Sequence, residues 1–460
     1  MSFVLYDLAF LFVFIILLAL FLIPRRKKLK IEGVLILYRT KIGIRIIDYI
    51  SKRYKKFLNN FEYVLIFIGY GLMLGMIYLL VQLFLLIARN PKIFELIKIP
   101  PIAPLIPYLP QIFNADYLPP FYFTYWIVVL GITAIFHEFM HGIFAKARGI
   151  KIKSTGFAFL GPFTAAFVEP DEEKVKKIKR RSQIAFLSAG SFANLILTIL
   201  FFIVLWAFFH LAFMSSGVIF NTYTFSVLNT SQITLSNQSI NVNFDGGLNL
   251  TKIYFNNTVY YAETDKLANS SMIIAYENTP ALKAGLAGVI TGVDGQKVGD
   301  NSDLKKILDK KNPGDNITVE TLYNNSVQEY GIELTERPDN KSQAYLGIAT
   351  INTESSSLLG KVRNKILFFK DPNTYYKPRG ADELIIFIYN LFWWLILINL
   401  SVALSNMLPV GIFDGGRVFY LTILSITKSE KTAKIAFGIS TYLILGIFVL
   451  LTILWFFSLF

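Results

Sequence analysis

The 460-residue chain has no cysteine, only three histidines and a low share of charged residues, 17%. Without cysteine, neither disulfide bonds nor thiolate metal ligands are available, so any bound metal must use His, Asp or Glu. Hydrophobic residues make up 54% of the chain, which excludes an ordinary soluble protein of this length. The composition therefore indicates a membrane protein.

The chain contains six long apolar windows. They lie at about 3–23, 63–88, 121–145, 184–214, 384–408 and 435–460. Each is long enough to cross roughly 30 Å of hydrocarbon as a helix. We therefore expect six transmembrane helices, the first of them an uncleaved anchor because Asp7 precedes it and Arg25 to Lys28 follow it.

The net charge of +14 comes from basic clusters beside these windows. The clusters are Arg25–Lys30, Lys52–Lys56, Lys146–Lys153, Lys174–Arg181 and Lys428–Lys434. They fall in every second loop, which predicts that those loops are cytoplasmic and that both termini and the segment 215–383 lie outside, in a cell membrane. Because no basic face stands apart from the membrane, nucleic acid is not an expected partner.

The outer segment 215–345 is rich in Asn, Ser and Thr. It carries the sequons Asn229, Asn237, Asn249, Asn256, Asn269, Asn316, Asn324 and Asn340, which predict a glycoprotein. Within it, the block Thr279–Val298, a helix-like DLKKILDKK and the block Pro313–Glu320 resemble a PDZ domain, which binds an extended peptide beside a sheet edge. A generic small β-rich domain is the alternative.

The strongest chemical signal is HEFMH, with His137, Glu138 and His141 late in the third window. On a helix, positions i and i+4 share a face, so both imidazoles can bind one Zn²⁺ while the neighbouring carboxylate reaches its water. His137 lies roughly 24 Å from the outer end of its window, which places the site within the bilayer toward the cytoplasm. Ionisable groups at that depth indicate function.

A tetrahedral catalytic zinc needs a third protein ligand. His210 lies near the outer end of the fourth window, far in height from His137, so Asp414 is the better candidate. Asp414 follows Pro409 within a Gly-rich break in an apolar stretch, and backbone irregularity at membrane depth is tolerated only where it is buried or lines a cavity.

These motifs together resemble the site-2 protease family, which carries HExxH on one span, an N-x-x-P-x-P-x-L-D-G motif on a later span, and often a PDZ domain between them. The resemblance covers about residues 121–426 and implies Asp414 as third ligand, Asn406 as substrate-binding residue, and Asn194, in a G-x-x-x-N context, as oxyanion stabiliser. An Asn that only bonds helix to helix is the alternative for Asn194. Gly411 and Phe413 depart from the motif.

The resemblance also bears on segment 154–168, which is too short to span the bilayer and reads as a membrane hairpin. It resembles the family's membrane β-element, which presents a strand edge to substrate; a purely structural hairpin is the alternative.

We therefore expect an α-helical polytopic membrane protein with six transmembrane helices and an inserted extracytoplasmic PDZ-like α+β domain. The expected parts are two N-terminal helices with a basic cytoplasmic loop and a Pro-rich outer loop (1–120), a first part of the catalytic core (121–214), a strand-rich outer segment (215–268), the PDZ-like domain (269–345), a linker (346–383), a second part of the core with a broken helix (384–426) and a C-terminal helix (435–460).

The expected function is zinc-dependent cleavage of transmembrane segments of other membrane proteins. Its partners are transmembrane substrates, the lipid bilayer, and peptide segments at the PDZ-like domain. The alternative is a catalytically silent PDZ-containing receptor or scaffold with a structural zinc, although such a site has no use for Glu138. A zinc carrier would need several polar clusters along a transport path, and the sequence offers one. A membrane metalloprotease of the prenyl-protein type would take a downstream Glu as third ligand, and no matching downstream helix stands out.

Overall fold

The computed structural model describes residues 3–33, 35–90, 100, 105–115, 118–161, 163–242, 247–267, 270–350 and 369–458. Residues 91–99, 101–104 and 116–117 of the Pro-rich outer loop, residues 351–368 of the linker and the sequon Asn269 lie outside these ranges. The contacts divide the chain into a helical unit, residues 1–208 with 386–460, and a β-rich unit, residues 209–385.

Most of the described helices belong to the helical unit, and two short ones, Pro280–Lys283 and Asn301–Leu308, belong to the β-rich unit. In chain order, the helices of the described residues are α1 (Phe3–Leu22), α2 (Ile44–Arg53), α3 (Lys55–Asn60), α4 (Glu62–Arg89), α5 (Leu109–Ile112), α6 (Phe123–Ala147), α7 (Glu172–Lys177), α8 (Arg180–Ala212), α9 (Pro280–Lys283), α10 (Asn301–Leu308), α11 (Asp382–Ser405), α12 (Asp414–Thr427) and α13 (Glu430–Phe457). The expectation of six long apolar helices is confirmed by α1, α4, α6, α8, α11 and α13, each long and apolar enough to cross a membrane.

The core of the helical unit surrounds the end of α6 that carries the HEFMH motif. Its fully buried members include Ile47 of α2, Leu65 of α4, Ala145 of α6, Ala189 of α8 and Ala403 of α11. Helices α2, α4, α8 and α11 thus each contribute a buried side chain to the core around α6.

A four-stranded antiparallel sheet packs on α6. Its order is β1 (Leu29–Glu32), β2 (Leu35–Thr40), β3 (Ile152–Leu160) and β4 (Phe163–Pro170). Strands β3 and β4 form a hairpin at the segment 154–168, and β2 pairs with β3 from Ile36 opposite Phe159 to Thr40 opposite Thr155. The N-terminal segment, whose role the sequence did not reveal, thus covers one edge of the hairpin and leaves the edge of β4 without a partner strand among the described residues.

Strands dominate the β-rich unit. They are β5 (Phe213–Val218), β6 (Thr222–Tyr223), β7 (Phe225–Asn229), β8 (Thr234–Val242), β9 (Leu248–Phe255), β10 (Thr258–Glu263), β11 (Met272–Glu277), β12 (Val289–Val293), β13 (Gln296–Lys297), β14 (Asn316–Tyr323), β15 (Ser326–Glu333), β16 (Thr335–Arg337), β17 (Asn340–Tyr345), β18 (Ile348–Ala349) and β19 (Thr374–Pro378).

The two large sheets of this unit cross the boundaries expected from the sequence. One has the order β15-β14-β12-β5-β19, with β13 paired to β12, so strands from residues 213–218 and 374–378 join those of the range 269–345. The other has the order β7-β11-β10-β9-β8 and takes β11 from that same range. Strand pairing joins segments that are far apart in the chain, and sequence blocks do not reveal it.

Candidate metal centre

Helix α6 presents His137 and His141 on one buried face, one helical turn apart. Their exposed fractions are 8% and 6%, and their Nε2 atoms lie 3.1 Å from each other. The helix spacing in the sequence has therefore produced a pair of converging donors.

Asp414 reaches the same point from a different helix. Its Oδ2 lies 3.5 Å from His137 Nε2 and 3.3 Å from His141 Nε2. Among the described residues, these three form the group of His, Asp and Glu side chains whose donor atoms converge closely enough to hold one ion.

The position of Asp414 depends on the break between α11 and α12. Helix α11 ends at Ser405, a turn runs through Pro409, and α12 begins at Asp414. The Gly415 amide donates to the Asn406 carbonyl at 2.7 Å. A Cβ at Gly415 would lie 2.2 Å from the Met407 backbone, so only glycine allows this turn to close on the start of α12.

The three donors fit zinc by their chemistry and their spacing. Two ligands about 2.05 Å from a tetrahedral zinc are roughly 3.3 Å apart. The three donor separations, 3.1, 3.3 and 3.5 Å, scatter around that distance. Two imidazoles with one carboxylate also form the ligand set that catalytic zinc sites use when they keep an open position.

Glu138 lies beside this group on the same helix. Its carboxylate is half-buried and accepts a hydrogen bond from the backbone amide of Val168, in β4, at 3.1 Å. Glu138, His141 and Asp414 border a cleft of about 360 Å³, which Lys176 and Arg417 also line. A half-buried carboxylate next to converging donors is placed to accept a proton from a molecule in that cleft.

Comparison with known proteins identifies the family. The profile described as Peptidase family M50 matches residues 125–449. The chain belongs to peptidase family M50. The resemblance to the site-2 protease family is thereby confirmed, and His137, His141 and Asp414 form the candidate zinc-binding group of this family member.

Two relatives show how far this similarity extends. A protein of Clostridium perfringens named as a candidate zinc metalloprotease is 26% identical over 226 residues, which cover 42% of this chain and 65% of that protein. An uncharacterised protein of Methanocaldococcus jannaschii is 32% identical over 169 residues, which cover 36% of this chain and 41% of that protein. The matches thus span less than two thirds of either relative's length.

In this M50 chain, helix α8 contacts both histidines. The Phe186 carbonyl lies 2.8 Å from His141 Nδ1, and Asn194 Nδ2 lies 3.0 Å from His137 Nδ1. Between them, a Cβ at Gly190 would lie 2.4 Å from His141 Nε2 and 2.5 Å from His137 Nε2, so any side chain there would enter the donor group. The G-x-x-x-N spacing in the sequence therefore marks a helix face that meets the metal site.

The other site residues expected from the sequence are placed as follows. Asn406 is half-buried directly after α11, and its backbone carbonyl holds Gly415. Sequence reasoning missed the amide of Val168 and the carbonyl of Phe186. Both are backbone groups, and no residue type identifies them in advance.

Proposed function

We propose that this M50 protein is an intramembrane endopeptidase that cleaves transmembrane segments of other membrane proteins. The observation that carries the proposal is the depth of the donor group. His137 lies about 21 Å along α6 from Phe123 at 1.5 Å per residue, well inside a helix that is apolar enough to span a bilayer. Peptide bonds reachable at that depth belong to membrane-embedded segments.

In the proposed chemistry, His137, His141 and Asp414 hold the metal and Glu138 is the general base. Zinc in such a site supplies a Lewis acid that lowers the pKa of a bound water to about 7. Glu138 accepts the proton of the attacking water and returns it to the leaving amine. The Val168 amide fixes one carboxylate oxygen of Glu138, so the other remains available for the proton.

The edge of β4 supports a mode of substrate binding. Because the Val168 amide points to Glu138, alternation along the strand turns the backbone groups of Ala166 and Thr164 toward the same side. No described strand pairs with that side of β4. A locally unwound substrate segment that adds there as a strand would have its backbone hydrogen bonds satisfied next to the general base.

An apolar cavity offers room for one substrate side chain. It has a volume of about 170 Å³, lies between α6 and the sheet, and includes Ile135, Phe139, Phe157 and Ala166 in its walls. Glu138 borders both this cavity and the cleft. We infer that an apolar residue beside the scissile bond enters it, as expected for a substrate taken from a membrane. Asn406 is the proposed contact to substrate backbone on the opposite side.

The β-rich unit is proposed to act outside the membrane as a peptide-binding PDZ-like module. A groove of about 390 Å³ runs between α10 and the strands β17 and β18, and Lys305, Lys311 and Arg337 line it. These cations favour an acidic segment or a free C-terminal carboxylate. Six of the sequons lie in described regions with exposed asparagines, which supports glycosylation of this unit: Asn229, Asn249, Asn256, Asn316, Asn324 and Asn340.

The decisive experiment replaces the general base and keeps the metal. Glu138→Gln should reduce cleavage of a co-expressed single-span substrate by at least about 10³-fold, because the amide cannot accept a proton. Zinc content, measured by elemental analysis of the purified protein, should stay at the wild-type level. Undiminished cleavage by Glu138→Gln would refute the mechanism, and a silent scaffold with a structural zinc would show no cleavage in the wild type either.

A further inference from the structure

Helix α8 approaches the metal site with one continuous face. Phe186, Gly190 and Asn194 are spaced i, i+4 and i+8, so they lie in one row along the helix. The row faces His141 and His137, which form the matching i, i+4 row on α6. The absence of a side chain at Gly190 lets the flanking groups of α8 reach the far nitrogens of both rings.

Metal binding fixes the protonation state of both rings. Each histidine directs Nε2 at the donor group, so a neutral ring that binds metal through Nε2 must carry its proton on Nδ1. For His141 this proton has an acceptor, the Phe186 carbonyl at 2.8 Å. The same requirement holds for His137, whose Nδ1 faces the amide of Asn194.

The amide of Asn194 must then be turned with its oxygen toward His137. With Nδ2 at 3.0 Å from Nδ1, two donors would face each other, and Oδ1 would have no hydrogen-bond partner among the described residues. Exchanging the two ends of the amide keeps the same positions and lets Oδ1 accept the Nδ1 proton. Asn194 is fully buried, so without this exchange the Nδ1 proton of His137 would meet a second donor in a place that water does not reach.

We propose that Asn194 is a positioning residue of the zinc site, which accepts the Nδ1 proton of His137 and thereby fixes the tautomer and orientation of this ligand. Helix α8 then supplies both outer partners of the metal-binding histidines, a backbone carbonyl for His141 and a side-chain oxygen for His137. This role differs from oxyanion stabilisation, which requires Asn194 as a donor. It rests on the proposed zinc ligands and not on the proposed substrate.

The test separates the acceptor from the donor. Asn194→Asp keeps an oxygen acceptor and removes the amide donor, whereas Asn194→Ala removes both. Asn399→Ala is the matched control, because Asn399 is also a fully buried asparagine on a long apolar helix, and its side chain donates, within the described part of the chain, to the Leu395 carbonyl of its own helix. Zinc affinity of the detergent-solubilised full chain is measured by competition with a chromophoric chelator, independently of any cleavage.

We expect Asn194→Ala to bind zinc 10- to 100-fold more weakly than wild type, and Asn194→Asp to stay within about threefold of wild type or to bind more tightly. Asn399→Ala should keep wild-type affinity. The proposal is overturned if Asn194→Ala binds zinc as tightly as wild type, or if Asn194→Asp is as weak as Asn194→Ala. Wild-type affinity in both variants with loss of cleavage in both would assign Asn194 to the oxyanion. If no variant or wild type cleaves the substrate while the affinities follow the expected order, the proposed function fails and this assignment stands.

Discussion

Two aspartates in apolar parts of this protein differ in the partners that surround their carboxylates. Asp7 of α1 is 1% exposed and accepts hydrogen bonds from the Tyr108 hydroxyl, the amides of Phe123 and Thr124, and the Thr124 hydroxyl. Asp414 of α12 is half-buried, and its close partners are the Nε2 atoms of two histidines. The two carboxylates therefore differ most in the nature of their partners.

The partners of Asp7 are hydrogen-bond donors, and the Asp7 carboxylate satisfies them without a metal ion. The carboxylate caps the N-terminus of α6, where the first backbone amides have no partner within the helix and where the helix dipole favours a negative charge. Burial, together with the Asp7 carboxylate, raises the pKa of the Tyr108 hydroxyl above its ordinary value. The partners of Asp414 can bind a metal, and Asp414 also lies in the first turn of α12, where the helix dipole favours a negative charge.

The largest expected effect is that of Asp414→Ala. Loss of one of three protein ligands should weaken zinc binding by more than about 100-fold, because the two histidines alone hold the ion less tightly. Cleavage should fall below detection. The metal-free forms of the variant and of the wild type should unfold at nearly the same temperature. The measurements are zinc content and thermal unfolding in detergent with and without chelator. Retention of one zinc per chain by the variant would show that Asp414 is not a ligand.

A smaller effect, on stability alone, is expected for Asp7→Ala. Removal of the carboxylate leaves the α6 amides without their acceptor and should lower the free energy of unfolding by about 2–4 kcal/mol. Zinc affinity per folded molecule should be unchanged. Tyr108→Phe removes one of the four donors and serves as the graded control, with a loss of about 1 kcal/mol. Loss of zinc affinity in Asp7→Ala, with the fold retained, would end the distinction between the two aspartates.

The smallest effect concerns Asp294, an aspartate in the β-rich unit. The Lys311 ammonium at 2.6 Å, together with the Thr318 amide, lowers the pKa of Asp294. A lowered pKa contributes stability that is present above the unfolded-state pKa of about 4 and is lost as the pH falls through the folded-state value. Because the pair is partly exposed, we expect it to contribute about 0.5 kcal/mol to the free energy of unfolding.

This effect can be measured by amide hydrogen exchange in β14 of the full chain. The difference in protection between wild type and Asp294→Asn should be present at pH 7 and shrink as the pH is lowered below 4. A difference that grows at low pH would contradict the sign of this shift.

How much could be predicted from the sequence differs between the helices and the sheets. Hydropathy marked the six long helices, because each apolar segment satisfies its own backbone and must be long enough to cross the hydrocarbon. Sheet partners were not predictable in the same way. The pairings of β2 with β3 and of β5 with β19 join residues more than one hundred positions apart.

In the candidate site, too, local features could be predicted from the sequence and tertiary contacts could not. The histidine pair follows from its i, i+4 spacing alone, since a helix places these positions on one face. The residue types and the broken apolar stretch singled out Asp414, but only packing brings it within 3.5 Å of both histidines. For Asn194, residue type left the oxyanion role and the helix-to-helix role open, and its contact with His137 suggests a third.

By itself, the sequence determined the number of long apolar helices, the residue types able to bind a metal, and the spacing that places two of them on one helix face. Those properties are local, because they depend on hydrophobicity and on the 3.6-residue repeat of a helix. Only the tertiary structure decided which backbone groups meet these side chains: the Val168 amide at Glu138 and the Phe186 carbonyl at His141. Every residue carries an amide and a carbonyl, so the chain must fold before any one of them acquires a role.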